Sequence, residues 1–286
     1  VLFVIIDSYI QYFFNKDIFG YPSLNSRLTG PFGSEKVVGA YISKLIFLSF
    51  SFLIIKKINI RYICLITIIA LVLIILSNER SSSIMFATSM LLFLAFCQVR
   101  LLFKFAILSF VLIFLSLLLN YNTQLKERFI NEPAKNFKDN HHKAHFLTAI
   151  EIFKDNKISG SGVKTFRVAC HNKKYENIKS IYYKDRCTTH PHNLYLEIIS
   201  ETGILGILII ISVNFYIAFQ LMKGFFTKTR FRNEILFIFC NFFILFWPLQ
   251  TTGSFFSSWN GVFYWLFFAF FFDFKKNILT KKPIQM

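Results

Sequence analysis

Charge is what this sequence has little of. Only 16% of its 286 residues are charged, against 55% hydrophobic and 19% aromatic, and its mean hydropathy is +0.51. That balance excludes a water-soluble domain of ordinary composition. No segment alternates polar and apolar residues as a membrane barrel strand does, so spanning helices, which satisfy their own backbone in lipid, are the expected element. The opening VLFVII has neither a basic start nor a cleavage site. It is therefore expected to be the last turns of an earlier helix rather than a signal peptide. Internal repeats are absent, and the only compositional bias is a phenylalanine enrichment that suits lipid-facing helices.

What is present is a series of apolar stretches at 37–55, 62–77, 84–99, 105–119, 194–217, 235–250 and 261–274. Each is near the roughly 17 to 25 residues that cross a hydrocarbon core of about 30 Å. The expected fold is an all-α, multi-pass membrane bundle of about seven spanning helices with one large external loop. Lys56, Lys57 and Arg61 follow the first stretch, and Arg100 and Lys104 follow the third. Lys223, Lys228, Arg230 and Arg232 follow the fifth, and Lys275, Lys276, Lys281 and Lys282 follow the seventh. Every second connection is basic, which assigns these four to the cytoplasm. The chain then divides into an N-terminal membrane segment (1–119, four spans), an external loop (120–193) and a C-terminal membrane segment (194–286, three spans and a cytoplasmic tail).

The loop 120–193 holds fourteen lysines and arginines, seven acidic residues and all six histidines of the chain. Its basic excess attracts either an anionic substrate or anionic lipid. Of five cysteines, Cys64, Cys97 and Cys240 fall in apolar stretches, where they read as small packing residues. Cys170 and Cys187 share the loop. On an oxidising face they are expected to form a disulfide worth roughly 3 kcal/mol; a zinc site with His171 is the rival, although its spacing matches no standard finger. GSGVKTF (160–166) lacks the length and strand context of a phosphate-binding loop and reads as a tight turn.

HPHNLYLEIISETGILG (190–206) concentrates polar groups at the mouth of the fifth stretch. Asn193 is a possible N-cap, and Asn193, Glu197 and Glu201 recur at i, i+4 and i+8, which places them in one stripe. An acidic stripe is costly in lipid and is expected to face a bundle interior or wet vestibule beside a basic partner. Arg27, in RLTGPFG, and Arg80, in SNERSSS, are the partner candidates; each could bind phosphate through a bidentate fork or simply snorkel. Lys44, within the first stretch, has the same two readings. His192, neutral at ordinary pH, could accept a proton from a hydroxyl, and His190 could assist it or cap the helix. Gly203 and Gly206 are expected to admit a neighbouring helix closely.

These residues resemble the bacterial O-antigen ligases and their relatives, the O-antigen polymerases and protein O-oligosaccharyltransferases. The family pattern is His, then Asn, Ser or Gln, then nine residues, then Gly-x-x-Gly (or Thr or Tyr at the last position), immediately after a large periplasmic loop. His192, Asn193, Gly203 and Gly206 fill every fixed position. DSYIQYFFNKDIFGY, RLTGPFG, SNERSSSIMF and SGSGVKTF resemble further family segments, whereas Glu35 and Lys36 stand where many relatives carry an asparagine. The resemblance implies a bacterial inner-membrane enzyme whose site faces the periplasm. It implies transfer of a glycan from an undecaprenyl pyrophosphate carrier to an acceptor hydroxyl, without metal or nucleotide cofactor. Lipid A-core is the favoured acceptor, with another glycan (polymerase) or a protein as alternatives. Arg27 and Arg80 would hold the pyrophosphate and His192 would act as base or acceptor-orienting group. Asn193, Glu197, His190 and Lys44 would bind substrate or position the histidine, with His192, Arg27 and Arg80 sharing one cavity. The partners expected are the lipid-linked donor, the acceptor and the bilayer, with no nucleic acid. A multi-pass transporter is the non-enzyme alternative; it would place more ionisable groups near the midplane.

Overall fold

A computed structural model describes residues 1–24, 26–55, 58–135, 139–227 and 231–276. Lys56, Lys57, Lys228, Arg230, Lys281 and Lys282, on which part of the orientation argument rests, lie outside the described residues. Regular structure among the described residues is helical, with isolated bridges Lys16–Pro22 and Leu24–Arg27 in place of strands. The longer helices are α1 (Leu2–Phe14), α2 (Val38–Ile55), α3 (Ile60–Leu76), α4 (Arg80–Phe96), α5 (Leu101–Tyr121), α6 (His141–Asp155), α7 (Leu194–Phe226), α8 (Arg232–Phe246) and α9 (Ser258–Phe274). The apolar stretches of the sequence fall on α2 to α5 and α7 to α9.

Helices α2, α5 and α7 are long and apolar enough to cross a membrane. Helices α3 and α4 have 17 residues each, which at about 1.5 Å per residue gives about 26 Å, short of a core of about 30 Å. Helix length alone therefore carries three spans among the described residues. VLFVII does not close a helix at its sixth residue, because α1 continues through DSYIQYFF to Phe14 and buries Asp7, Ser8 and Gln11 along one face. That face has a purpose in the fold. The Gln11 side-chain oxygen accepts from the Thr29 and Gly30 amides at 2.8 and 2.9 Å, and its nitrogen donates to Thr29 Oγ1 at 2.9 Å. Gly30, at φ 50°, lies so near α1 that a Cβ would come within 2.5 Å of Ser8 Oγ.

The chain forms two compact units. The first comprises Val1–Ala134 and Lys223–Leu245. Its core joins Phe47, Phe50, Phe86, Phe93 and Phe237, with the Phe93 and Phe237 rings stacked at 4.5 Å. Lipid is as apolar as these side chains, so close aromatic packing, worth about 0.5 to 1.5 kcal/mol per pair, and interhelical hydrogen bonds hold such a bundle. One such bond runs from Asn241 Nδ2 to the Lys44 carbonyl at 2.8 Å. Helix α5 fully buries only Ile107, while Phe103, Val111, Leu115, Leu118 and Leu119 pack half-buried against the core.

The second unit comprises Lys135–Met222 and the segment from Phe246. Asn140 caps α6 by accepting from the Lys143 amide at 3.0 Å. A small core of Ala149, Ile152, Phe166, Cys170 and Tyr175 closes this part of the loop. Cys170 and Cys187 are joined as a disulfide with Cα atoms 5.3 Å apart, so neither sulfur is a thiolate ligand in this state. Helix α7 is broken at Gly203, where φ is 66° and ψ −160°.

Candidate active site

In the second unit, His192 stands at φ 58°, a left-handed conformation rare for a residue with a side chain. The Thr252 amide, donating to the His192 carbonyl at 2.8 Å, holds it there. Asn193 follows and caps α7: its Oδ1 accepts from the Tyr195 and Leu196 amides, both at 3.1 Å. Its Nδ2 donates to the Pro248 and Gln250 carbonyls at 2.7 and 3.2 Å. The Asn193 amide thus joins the start of α7 to the segment that turns past His192.

Four imidazoles meet at this point. The His192 ring lies 4.3 Å from His190, 5.2 Å from His142 and 5.3 Å from His145. Burial and then the charges of His190, His142 and His145 push the His192 pKa down to about 3, with the Thr252 carbonyl pulling the other way. The ring is accordingly neutral at physiological pH: its lone pair is available, and its basicity is low until an anion approaches. His190 is lowered as well, chiefly by burial; its Nε2 meets the Thr252 carbonyl at 3.2 Å and its Nδ1 the Thr189 hydroxyl at 2.9 Å.

The acidic stripe is buried, but its hydrogen-bond partners are not the basic side chains that its burial led us to expect. Glu197 accepts from the Ser254 hydroxyl and from the Phe255 amide, the latter at 2.7 Å. Glu201 accepts from the Lys164 and Phe166 amides at 2.6 and 3.0 Å. Backbone donors neutralise the carboxylates at short range, and the charge of Arg167 reaches both. The two glutamates tie the 254–255 and 164–166 segments to α7. GSGVKTF makes a tight turn, closed by the Thr165 amide donating to the Gly162 carbonyl at 3.3 Å, and its Ser161 and Gly162 amides donate to the Ser200 and Glu201 carbonyls at 3.0 and 2.9 Å. Gly203 does not admit a neighbouring helix. What approaches it is the 158–160 strand of backbone, since a Cβ at Gly203 would lie 2.2 Å from the Ile158 carbonyl oxygen. At Gly206 the near atom is Thr202 Oγ1 of the same helix.

In the first unit, Arg27 and Arg80 are brought close to a third cation, Arg128, near enough for their charges to repel. Arg80 Nη1 lies 3.4 Å from Glu132 Oε2, which Arg128 Nη1 meets at 2.7 Å. Arg27 Nη2 donates to the Lys36 carbonyl at 3.1 Å, while its buried Nε has no hydrogen-bond partner among the described residues. Glu79 is the counter-charge: its carboxylate accepts from the Gly39 and Ala40 amides at 2.6 and 3.0 Å and from the Ser82 hydroxyl. Burial raises its pKa, and the Gly39 amide and Arg27 pull it back. Lys44, on α2, also feels Glu79. Arginines 27, 80 and 128 against Glu79 and Glu132 form a cluster with donors to spare, fit for an anion with several oxygens.

The O-Antigen ligase family model matches residues 65–211, just over half of the chain. The chain belongs to the O-antigen ligase family. It is therefore a glycosyltransferase-type membrane protein, and a lipid-linked glycan, an acceptor and a membrane are the partners that the family implies. No curated protein matches it. The match spans Arg80, Arg128, His142, His145 and the whole stripe from His192 to Gly206, while Arg27 precedes it. Sequence reading missed Glu79, Arg128, His142, His145 and Arg167. Glu79 stood beside a residue already singled out, and His142 and His145 carried the i, i+3 spacing of one helix face. Arg128 and Arg167 were hidden in the general basicity of the loop.

Proposed function

We propose that this O-antigen ligase family member transfers a glycan from undecaprenyl pyrophosphate to an acceptor hydroxyl, lipid A-core being the favoured acceptor. In this reading seven helices span the bacterial inner membrane and 120–193 is a periplasmic loop. The carrier pyrophosphate is an activated leaving group, so the protein has two tasks: to stabilise the charge that develops on it and to take the acceptor proton. Arg27 and Arg80, with Arg128, serve the first by offering guanidinium forks to the phosphate oxygens. Lys44 adds positive charge.

His192 serves the second. Its neutral ring accepts the hydroxyl proton, and the negative charge of the donor raises its basicity as substrate arrives. His190, Asn193 and Glu197 hold the segment that presents it, and the reaction as written uses no metal. The observation that carries the donor assignment is the gathering of three mutually repelling guanidinium groups, an arrangement that favours a multiply charged anion.

Reconstitution with a lipid-linked glycan and a panel of acceptors tests the proposal. Product on lipid A-core is expected. Elongation of the glycan on its own carrier identifies a polymerase instead, and labelled protein a protein O-oligosaccharyltransferase. Failure to consume the donor with any acceptor contradicts the transfer reading.

A further inference from the structure

His142 and His145 stand in the first turns of α6. Three residues apart, they share one face of the helix, and their rings lie 6.0 Å from one another. His192 reaches the same point from the segment before α7. One nitrogen from each of the three rings lies within 4.8 Å of the others. Tetrahedral zinc holds imidazole nitrogens at about 2.0 to 2.1 Å, which separates them by about 3.4 Å. Modest rotations of three rings about their side-chain bonds close the difference.

The tautomer of His145 is an independent indication. Its Nε2 lies 2.9 Å from the Asp185 carbonyl oxygen. A carbonyl can only accept, so the neutral ring carries its proton on Nε2 and presents Nδ1 as a lone pair. That Nδ1 is buried and has no hydrogen-bond partner among the described residues. Buried acceptors are seldom left so. One ring nitrogen donating to a backbone carbonyl while the other is left as a buried, unengaged lone pair is the arrangement of a metal-binding histidine. His190 does not extend the set, since both of its nitrogens are engaged with Thr189 and Thr252.

We propose that His142, His145 and His192 form a binding site for one divalent transition-metal cation, with zinc as the best-suited ion. Three imidazoles leave a fourth position for water or an anion. The site lies wholly within the second unit and needs no feature of the transfer reaction. A cation bound there takes the His192 lone pair, so the metal-bound chain and the chain ready for proton transfer are different forms.

The test uses the full chain in detergent with its disulfide intact, stripped by a chelator and titrated with zinc against a chromophoric competitor. One zinc per chain is expected, with cobalt giving the visible bands of a low-symmetry nitrogen site. His145→Ala and His142→Gln should each weaken zinc binding by at least about tenfold while circular dichroism shows unchanged helicity. His171→Ala, which leaves the disulfide in place and removes the free ligand of the rival Cys170, His171, Cys187 group, should keep the zinc. No stoichiometric binding by the wild-type chain, wild-type affinity in both of the His142 and His145 variants, or loss of zinc from His171→Ala each overturns the proposal. Because the readout is binding, its failure leaves glycan transfer standing, and failed transfer leaves the metal site standing.

Discussion

At the scale of single residues, the backbone conformation of His192 is the most telling detail. A non-glycine residue at φ 58° carries strain of about 1 to 3 kcal/mol, which persists only where the surroundings enforce it. Here the Thr252 amide and the Asn193 side chain do so. Asn193→Ala should therefore remove a helix cap worth about 1 kcal/mol and also misplace the histidine. Transfer should fall more than the loss of thermal stability explains; activity that tracks folded fraction alone would reduce Asn193 to a cap. Arg128→Ala should weaken carrier binding by about tenfold or more, since a hydrogen bond to a charged group contributes about 1.5 to 3 kcal/mol. Labelled-carrier affinity equal to wild type would remove Arg128 from the pyrophosphate site. The His192–Asn193 pair was singled out in the sequence by its resemblance to the family pattern, and Arg80 by its place at a helix entry. Glu79 and the two helical histidines were not, because their importance comes from which distant segment they meet.

At the scale of elements, α7 is a broken helix. Its break at Gly203 lets the Ile204 amide donate to the Lys157 carbonyl at 2.8 Å, so the loop turn and the helix share backbone hydrogen bonds. Sequence reading recognised both glycine motifs but gave Gly203 a helix neighbour, since small residues usually serve that purpose in membranes. Positive φ at both Gly160 and Gly203 is what makes this backbone-to-backbone contact possible. Gly203→Ala should lower the stability of the chain by about 2 kcal/mol or more, combining left-handed strain with a backbone clash. Gly206→Ala should be milder, because Gly206 carries no left-handed strain and what stands in its way is the Thr202 side chain, hydroxyl and Cβ, rather than the backbone of a distant segment. Thermal unfolding in detergent compares the two, and equal effects would contradict the break as drawn. Reduction of Cys170–Cys187 should likewise destabilise the loop by roughly 3 kcal/mol, read as faster proteolysis near His171.

At the scale of the whole molecule, the apolar stretches located the helices well: α2 begins at Val38 and α9 ends at Phe274, close to the bounds 37 and 274 read from the sequence. Which helices cross the bilayer was less legible, because α3 and α4 are shorter than a hydrocarbon core and composition does not show how a bundle accommodates them. The proposed function makes one central claim: the neutral imidazole of His192 takes the acceptor proton during glycan transfer. General-base contributions of this kind are worth about 10² to 10⁴ in rate. The most direct measurement is the transfer rate of His192→Ala in proteoliposomes supplied with a lipid-linked glycan and its acceptor, with insertion matched to wild type. A rate reduced by about 10² or more supports the claim, whereas transfer at the wild-type rate contradicts it.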